Sequence, residues 1–297
     1  MELRHIRYFL AVADEGSFTR AAAKLGIGQP PLSMQIKDLE TELGAALFER
    51  HSHGVRLTAA GQAFREEVGN LPAEVEAAAA RAKRVALGEI GRLAIGYTST
   101  AAMNPVVPAS IRAYREAHPG IGLIVEERNS ALLLQALLDR TLDLAILRPS
   151  PTDPTEIKVM PLLSEPLVAA LPSGHAALRS HSAIGLSSLA DDPLILTPRS
   201  VGAGLHDAVL QTYADSGVVV TKGPTAPQMV SVLSFVAAGI GVSLVPASMQ
   251  QLSIEGVEYR PLKRPVPAVS LALAHRTDQR STTTANFIAI AQRQVLS

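Results

Sequence analysis

Cysteine is absent from the 297 residues. That removes disulfide frameworks, thiolate zinc fingers, iron–sulfur clusters and cysteine nucleophiles. Net charge of either sign is missing too: Lys plus Arg number 27 and Asp plus Glu number 27. No global field therefore argues for a polyanionic partner, and any such partner must be held by a local patch. Enzyme signatures are equally scarce. There is no G-x-S-x-G elbow and no Walker loop, and Gly239-Ile240-Gly241-Val242-Ser243-Leu244 lacks the third glycine of a dinucleotide fingerprint. His51 and His53 alternate on a turn instead of sharing a helix face with a carboxylate, and His175 has no acid close in sequence to orient it. No catalytic residue, metal or cofactor is expected.

One charge-free run, Met229 to Met249, is long enough to cross hydrocarbon. Serines dilute it and Gly239, Gly241 and Pro246 punctuate it, so it reads as a buried helix, a turn and a buried strand. The start, Met1-Glu2-Leu3-Arg4-His5-Ile6-Arg7, interleaves charged and apolar residues without the apolar core of a secretory signal. A cytoplasmic chain without a membrane partner is expected.

What is present is ample apolar material: hydrophobic residues make up 47% and charged residues 18%. At this length the chain divides into roughly two domains. The first stretch carries three closely spaced helical patterns. Leu3, Ile6, Phe9, Leu10 and Ala13 share one face, and Ser17 offers a cap for a short second helix ending at Gly26-Ile27-Gly28. Pro30 and Pro31 suit the first turn of a third, where amide hydrogens have no intrahelical acceptor. Along that helix Leu32, Ile36, Leu39 and Leu43 face inward, while Gln29, Ser33 and Lys37 line another side at four-residue steps. The segments Leu47 to Arg50 and Val55 to Leu57 flank a polar turn and predict a hairpin wing.

Thr58 then caps a long helix whose Leu57, Gly61, Phe64, Val68, Leu71, Val75, Ala78, Ala82 and Val85 recur at the spacing of a two-helix coiled coil. Pro72 predicts a kink in it. A core helix of a monomer is the alternative reading. From about Gly88 the texture changes to strands alternating with helices. Leu93–Tyr97, Leu123–Val125, Leu142–Ile146, Leu167–Ala170 and Leu194–Leu196 read as buried strands of largely parallel sheets. Proline-rich interruptions at 149–151 and 261–267 suggest two lobes with a ligand cleft between them.

A helix, a tight turn and a second helix presenting Gln29, Ser33 and Lys37 suit the major groove, which admits one helix and displays donors and acceptors on base edges. Arg50 and Arg56 on the wing suit flanking phosphates. The stretch 1–58 matches its basic residues with acidic ones, so a small helical protein-interaction module also fits the residues alone.

The strings Arg7-Tyr8-Phe9, Gly16-Ser17-Phe18-Thr19-Arg20-Ala21-Ala22, Gln29-Pro30-Pro31-Leu32-Ser33, Leu47-Phe48-Glu49-Arg50 and Leu57-Thr58-Ala59-Ala60-Gly61 together resemble the LysR-type transcriptional regulators. The resemblance spans the chain and implies an all-α winged helix-turn-helix domain (1–58), a linker and dimerisation helix (59–87), and an α/β effector-binding domain (88–297) similar to periplasmic binding proteins. Lobe I is expected over about 88–161 and 266–297, and lobe II over about 162–265. The resemblance implies promoter DNA, a small-molecule effector and self-association to a dimer and a tetramer. On it, Gln29, Pro30, Ser33, Met34, Lys37, Arg50 and Arg56 form the DNA surface. Met34 departs from the arginine or glutamine common at its position.

In the effector domain, Thr98-Ser99-Thr100 places hydroxyls and amides where a strand gives way to a helix, suited to an anion. Ser130 suits the cap of the next helix, Arg148 offers a planar fork for a carboxylate, and Thr197, Pro198 and Arg199 supply polar groups from the other lobe. Helix caps and surface salt bridges are the alternative roles for these side chains. The overall pattern, Gly241 to Ser248 included, is similar to the branch of the family sensing aromatic acids or their ring-cleavage products. A cytosolic solute-binding protein and an enzyme on a two-lobed scaffold are the competing readings.

Overall fold

The computed structural model describes residues 1–52, 54–179 and 182–296; His53 of the wing turn lies outside them. Two compact units result, Met1–Arg84 and Val85–Ser297.

In the first, α1 (Leu3–Glu15) ends at Gly16, whose left-handed φ of 57° closes the helix onto the Val12 carbonyl. Ser17 caps α2 (Phe18–Leu25) by accepting from the Arg20 amide. Gly26, at φ 69°, turns the chain toward α3 (Gln29–Leu43), which starts with proline in its first turn. Phe9, Leu32, Ile36, Leu39 and Leu47 are buried at the centre. The Phe9 and Phe64 rings meet edge to face at 5.0 Å. The wing is the antiparallel pair β1 (Phe48–His51) and β2 (Gly54–Leu57), with Glu49 opposite Arg56 and Arg50 opposite Val55.

The single long helix expected after the wing is interrupted. Thr58 caps α4 (Ala59–Val68) through the Gly61 amide, and α5 (Leu71–Ala86) begins anew, so Pro72 falls in a first turn where its missing N–H costs nothing. The coiled-coil seam is also shorter than its spacing predicts. Val68 is buried in the unit's own core, with Leu57, Phe64 and Leu71 packed against that core. Gly61 is pressed so closely on the Leu47 carbonyl that no side chain fits. Helix α5 buries no residue, and Val75 and Val85 are exposed.

The second unit runs β3 (Gly91–Tyr97), α6 (Ser99–Ala102), α7 (Val106–Ala117), β4 (Ile121–Glu127), α8 (Ser130–Leu138), β5 (Leu144–Leu147) and β6 (Ile157–Pro172). It continues through β7 (Pro193–Leu196), α9 (Ala203–Asp215), β8 (Thr221–Thr225), α10 (Met229–Ala237), β9 (Ser243–Pro246), β10 (Val257–Pro261), β11 (Ala268–Arg276) and α11 (Thr282–Leu296). A seven-stranded sheet has the order β10-β6-β11-β5-β3-β4, with β9 joined to β6, while β7 and β8 pair separately. The pairing is mixed where largely parallel sheets were expected. Strand β3 runs parallel to β4 and β5, as does β7 to β8, but β11 is antiparallel to β5 and β6, and β6 to β9 and β10. Strand β4 is an edge, so Ile124 and Val125 are exposed where a buried strand was expected.

Two lobes are built around β6. Its first part, Ile157 to Pro166, pairs with β11; from Leu167 onward it pairs with β9 and β10. Leu93, Ile95, Ile146, Leu273 and Phe287 centre one core, and Leu167, Leu171, Leu194, Val209 and Tyr213 another. The change of partner thus falls a few residues after the boundary expected at 161/162. The charge-free run resolves as expected into α10, a turn at Gly239 (φ 73°) and the buried β9. Among the described residues no helix is long and apolar enough to cross a membrane.

Candidate functional site

Two surfaces hold the residues singled out in the sequence. On the first unit, Gln29, Pro30, Met34 and Lys37 are exposed along α3 and Ser33 is half-buried. The Gln29 side-chain amide donates to the Ser33 hydroxyl at 2.8 Å, which aligns the two on adjacent turns. Gln29, Ser33, Lys37 and Arg50 line a concavity between α3 and the wing, together with Ser17. Arg56 is exposed on β2 but outside that lining. On the wing turn His51 faces Glu49 at 3.2 Å.

The second surface is a cavity of about 280 Å³ in the second unit, lined from both lobes. Its walls begin where strands end. Thr98 to Thr100 follow β3, Asn129 and Ser130 follow β4, Arg148 follows β5, and Thr197 follows β7. Carboxyl ends of parallel strands are where α/β sheets bind ligands, because the following helices aim their N-termini there. Helices α8, α9 and α10 all start in this lining. On lobe I the starts are capped from within: Thr98 accepts from the Ala101 amide, and Asn129 accepts from the Leu132 amide. Asn129 is therefore the cap where Ser130 was expected, and Ser130 is the first helical residue. On lobe II, Gly202 before α9 and Gln228 before α10 make no side-chain cap.

Arg148 departs from its expected role as an open fork. It is 3% exposed, and its Nη2 donates to Glu165 Oε2 at 2.7 Å. Its Nε reaches the Thr100 hydroxyl at 3.4 Å, while Nη1 is buried without a partner among the described residues. The other Glu165 oxygen accepts from the Ser248 amide at 2.7 Å. Burial pushes the Glu165 carboxyl up, but the Arg148 charge and the Ser248 amide outweigh it and hold the carboxyl below its usual range. Burial disfavours the charged form of Arg148, opposed by Glu165. Two of the three guanidinium nitrogens are thus committed to the protein, and the third is buried without an acceptor among the described residues.

The structure does not bring Pro198 and Arg199 into the cavity lining. Arg199 instead grips Asp207 with two nitrogens, at 2.9 and 2.8 Å, which makes it a surface ion-pair residue. His175, expected to lack an orienting acid, has one from far along the chain: Nε2 lies 3.0 Å from Asp192, and Nδ1 accepts from the Ala177 amide. Glu165, Asn129, Gly202 and Gln228 were missed. Asn129 carried a readable signal, since it precedes an apolar helical run. Glu165 carried a weaker one, a single acid between apolar stretches of a strand.

Comparison with known proteins gives the family of each unit. Residues 86–296 match the LysR substrate binding domain, and residues 3–62 match the bacterial regulatory helix-turn-helix protein, lysR family. The chain belongs to the LysR family of transcriptional regulators. It is 36% identical over 288 residues to the HTH-type transcriptional regulator BudR of Raoultella terrigena, covering 97% of this chain and 99% of that one. It is 38% identical over 285 residues to the regulator IlvR of Caulobacter vibrioides, covering 95% of each. Among solved structures, full-length CbnR complexed with its target DNA superposes with a TM-score of 0.78 at 25% identity, covering 99% of this chain and 100% of that one. The protein is accordingly a DNA-binding LysR-type regulator with an effector-binding domain.

Proposed function

We propose that the cavity holds a small carboxylate and that its occupancy controls how the protein binds or activates a promoter. The observation that carries this reading is Arg148 Nη1, a buried cationic donor without a partner in the wall of a cavity lined from both lobes. A carboxylate supplies the acceptor, and the side-chain-uncapped starts of α9 and α10 add favourable dipole ends from lobe II. Thr98, Ser99, Thr100, Ser130 and Thr197 offer hydroxyls to the same ligand. Among the described residues no aromatic ring lines the cavity, and its volume sits at the small end of ligand pockets. Of the two effector types in the branch that the sequence resembles, an acyclic ring-cleavage acid fits this lining better than an aromatic acid.

At the other end of the chain, Gln29, Pro30, Ser33 and Lys37 meet base edges, and Arg50 and Arg56 meet phosphates. The α5 helices pair two protomers, and pairs of dimers form the tetramer. Effector binding acts by favouring one lobe arrangement, with a coupling of about 1–3 kcal/mol. Thermal-shift titration of the full chain with acetate, succinate, cis,cis-muconate and benzoate tests the effector reading. An acyclic acid is expected to raise Tm, and Arg148→Gln or Ser99→Ala to reduce the rise. A stabilising acid indifferent to both substitutions refutes the assignment.

A further inference from the structure

We infer that Met34 reads the 5-methyl group of a thymine in the major groove of the operator. The inference rests on α3 being the helix that enters the groove. Met34 is 60% exposed, and between Glu2 and Glu42 it is the single large apolar side chain left in solvent among the described residues. Its place on the helix is not arbitrary. At 100° per residue it lies nearly opposite the buried row Leu32, Ile36 and Leu39, one turn beyond Pro30 and beside the Gln29–Ser33–Lys37 row. Of the residues around it, Pro30 and Pro31 are apolar and Gln29, Ser33, Lys37 and Asp38 polar, so the exposed face is a polar reading surface with one apolar patch, of which Met34 is the long, flexible member.

Major-groove chemistry then narrows the partner. A thioether has no donor and is a weak acceptor. Guanine, cytosine and adenine present polar groups and no methyl on that edge, and burying those groups against a methionine strips their water without replacing it. Thymine alone presents a methyl. A Met34 side chain packed there gains apolar burial, whereas a cytosine at the same place leaves an unpaired amino donor. The thymine selected by Met34 is thus set by exclusion of the other bases as much as by attraction. Because Met34 is exposed and packs on no core residue, its replacement leaves α3 folded, and the side chain can be varied without confounding stability.

The experiment selects duplexes from a random-sequence pool with the full-length protein, then replaces each thymine of the selected duplex singly by deoxyuridine, which deletes only the methyl. One position per half-site is expected to lose about three- to fourfold in affinity, the worth of one buried methyl. In Met34→Ala that loss disappears, while in Ser33→Ala it persists. A second selection with Met34→Gln is expected to place adenine there, since glutamine pairs with its N6 and N7. Tolerance of deoxyuridine at every position overturns the inference, as does a methyl dependence unchanged in Met34→Ala. A pool yielding no bound duplex instead overturns the role of α3 itself, which is a separate failure.

Discussion

A methyl group on Gly204 would lie well inside van der Waals contact with the backbone carbonyl oxygen of Arg148. Gly204 sits in the first turn of α9 on lobe II, and Arg148 follows β5 on lobe I. The two lobes therefore approach so closely beside the cavity that only glycine fits. Pro149 presents a second carbonyl at the same spot. Gly204→Ala is expected to cost about 1–3 kcal/mol by overpacking and to remove most of the acid-induced rise in Tm, because the lobes no longer close on the ligand. Urea unfolding with and without the stabilising acid checks both halves.

Glu165 is the acid that pairs with the buried Arg148 guanidinium, at 2.7 Å. Glu165→Ala leaves that charge buried and unpaired, and the expected loss is about 3–5 kcal/mol. Because its folded-state carboxyl is held below the ordinary value of 4.5, Glu165 contributes stability that is complete above the unfolded value. That contribution disappears as pH falls through the folded one. Urea unfolding at neutral pH and across the acid range should show the wild-type loss there, with a correspondingly smaller loss in Glu165→Gln.

Arg50 and Arg56 are exposed on the wing, and on the proposed reading each meets a phosphate and releases counterions on binding. Each change to alanine is expected to lower the slope of log affinity against log salt by about 1. Gln29→Ala should instead cost about 1–3 kcal/mol on the selected duplex and little on unrelated DNA. Fluorescence anisotropy over a salt series separates the two behaviours.

Val75 and Val85 face solvent on α5 in the single chain. If paired α5 helices bury them, Val75→Glu with Val85→Glu shifts the protein toward monomer in sedimentation, with the helix content of the chain unchanged. Weakening of the dimer by a factor of ten or more is expected from two buried charges.

The helices and the wing of the first unit were legible because their signals are local: Ser17 as a cap, Gly26 at the turn, prolines opening α3, and a 3.6-residue apolar row. The seam misled because one periodicity serves two partners. Leu57, Phe64 and Leu71 recur at coiled-coil spacing yet pack against the first unit's own core, and spacing alone does not say what covers a face. Much of the cavity wall was readable for a related reason, as Thr98 to Thr100, Ser130 and Thr197 each lie where a strand gives way to the next segment. Arg148 was placed in that wall, but its bond to Glu165 was not. Two residues seventeen apart meet only once β11 has paired with both β5 and β6, and no local pattern encodes that closure. His175 with Asp192 failed in the same way.

Strand β6, sixteen residues long, is owned by both lobes. A chain cut near its middle would leave each half with a torn sheet, so neither lobe is expected to survive as a separable piece. The same sharing makes Ile157–Pro172 an axle: rotation of one lobe is taken up as torsion along this strand, close to the carboxylate of Glu165, and in the second crossing between β10 and β11.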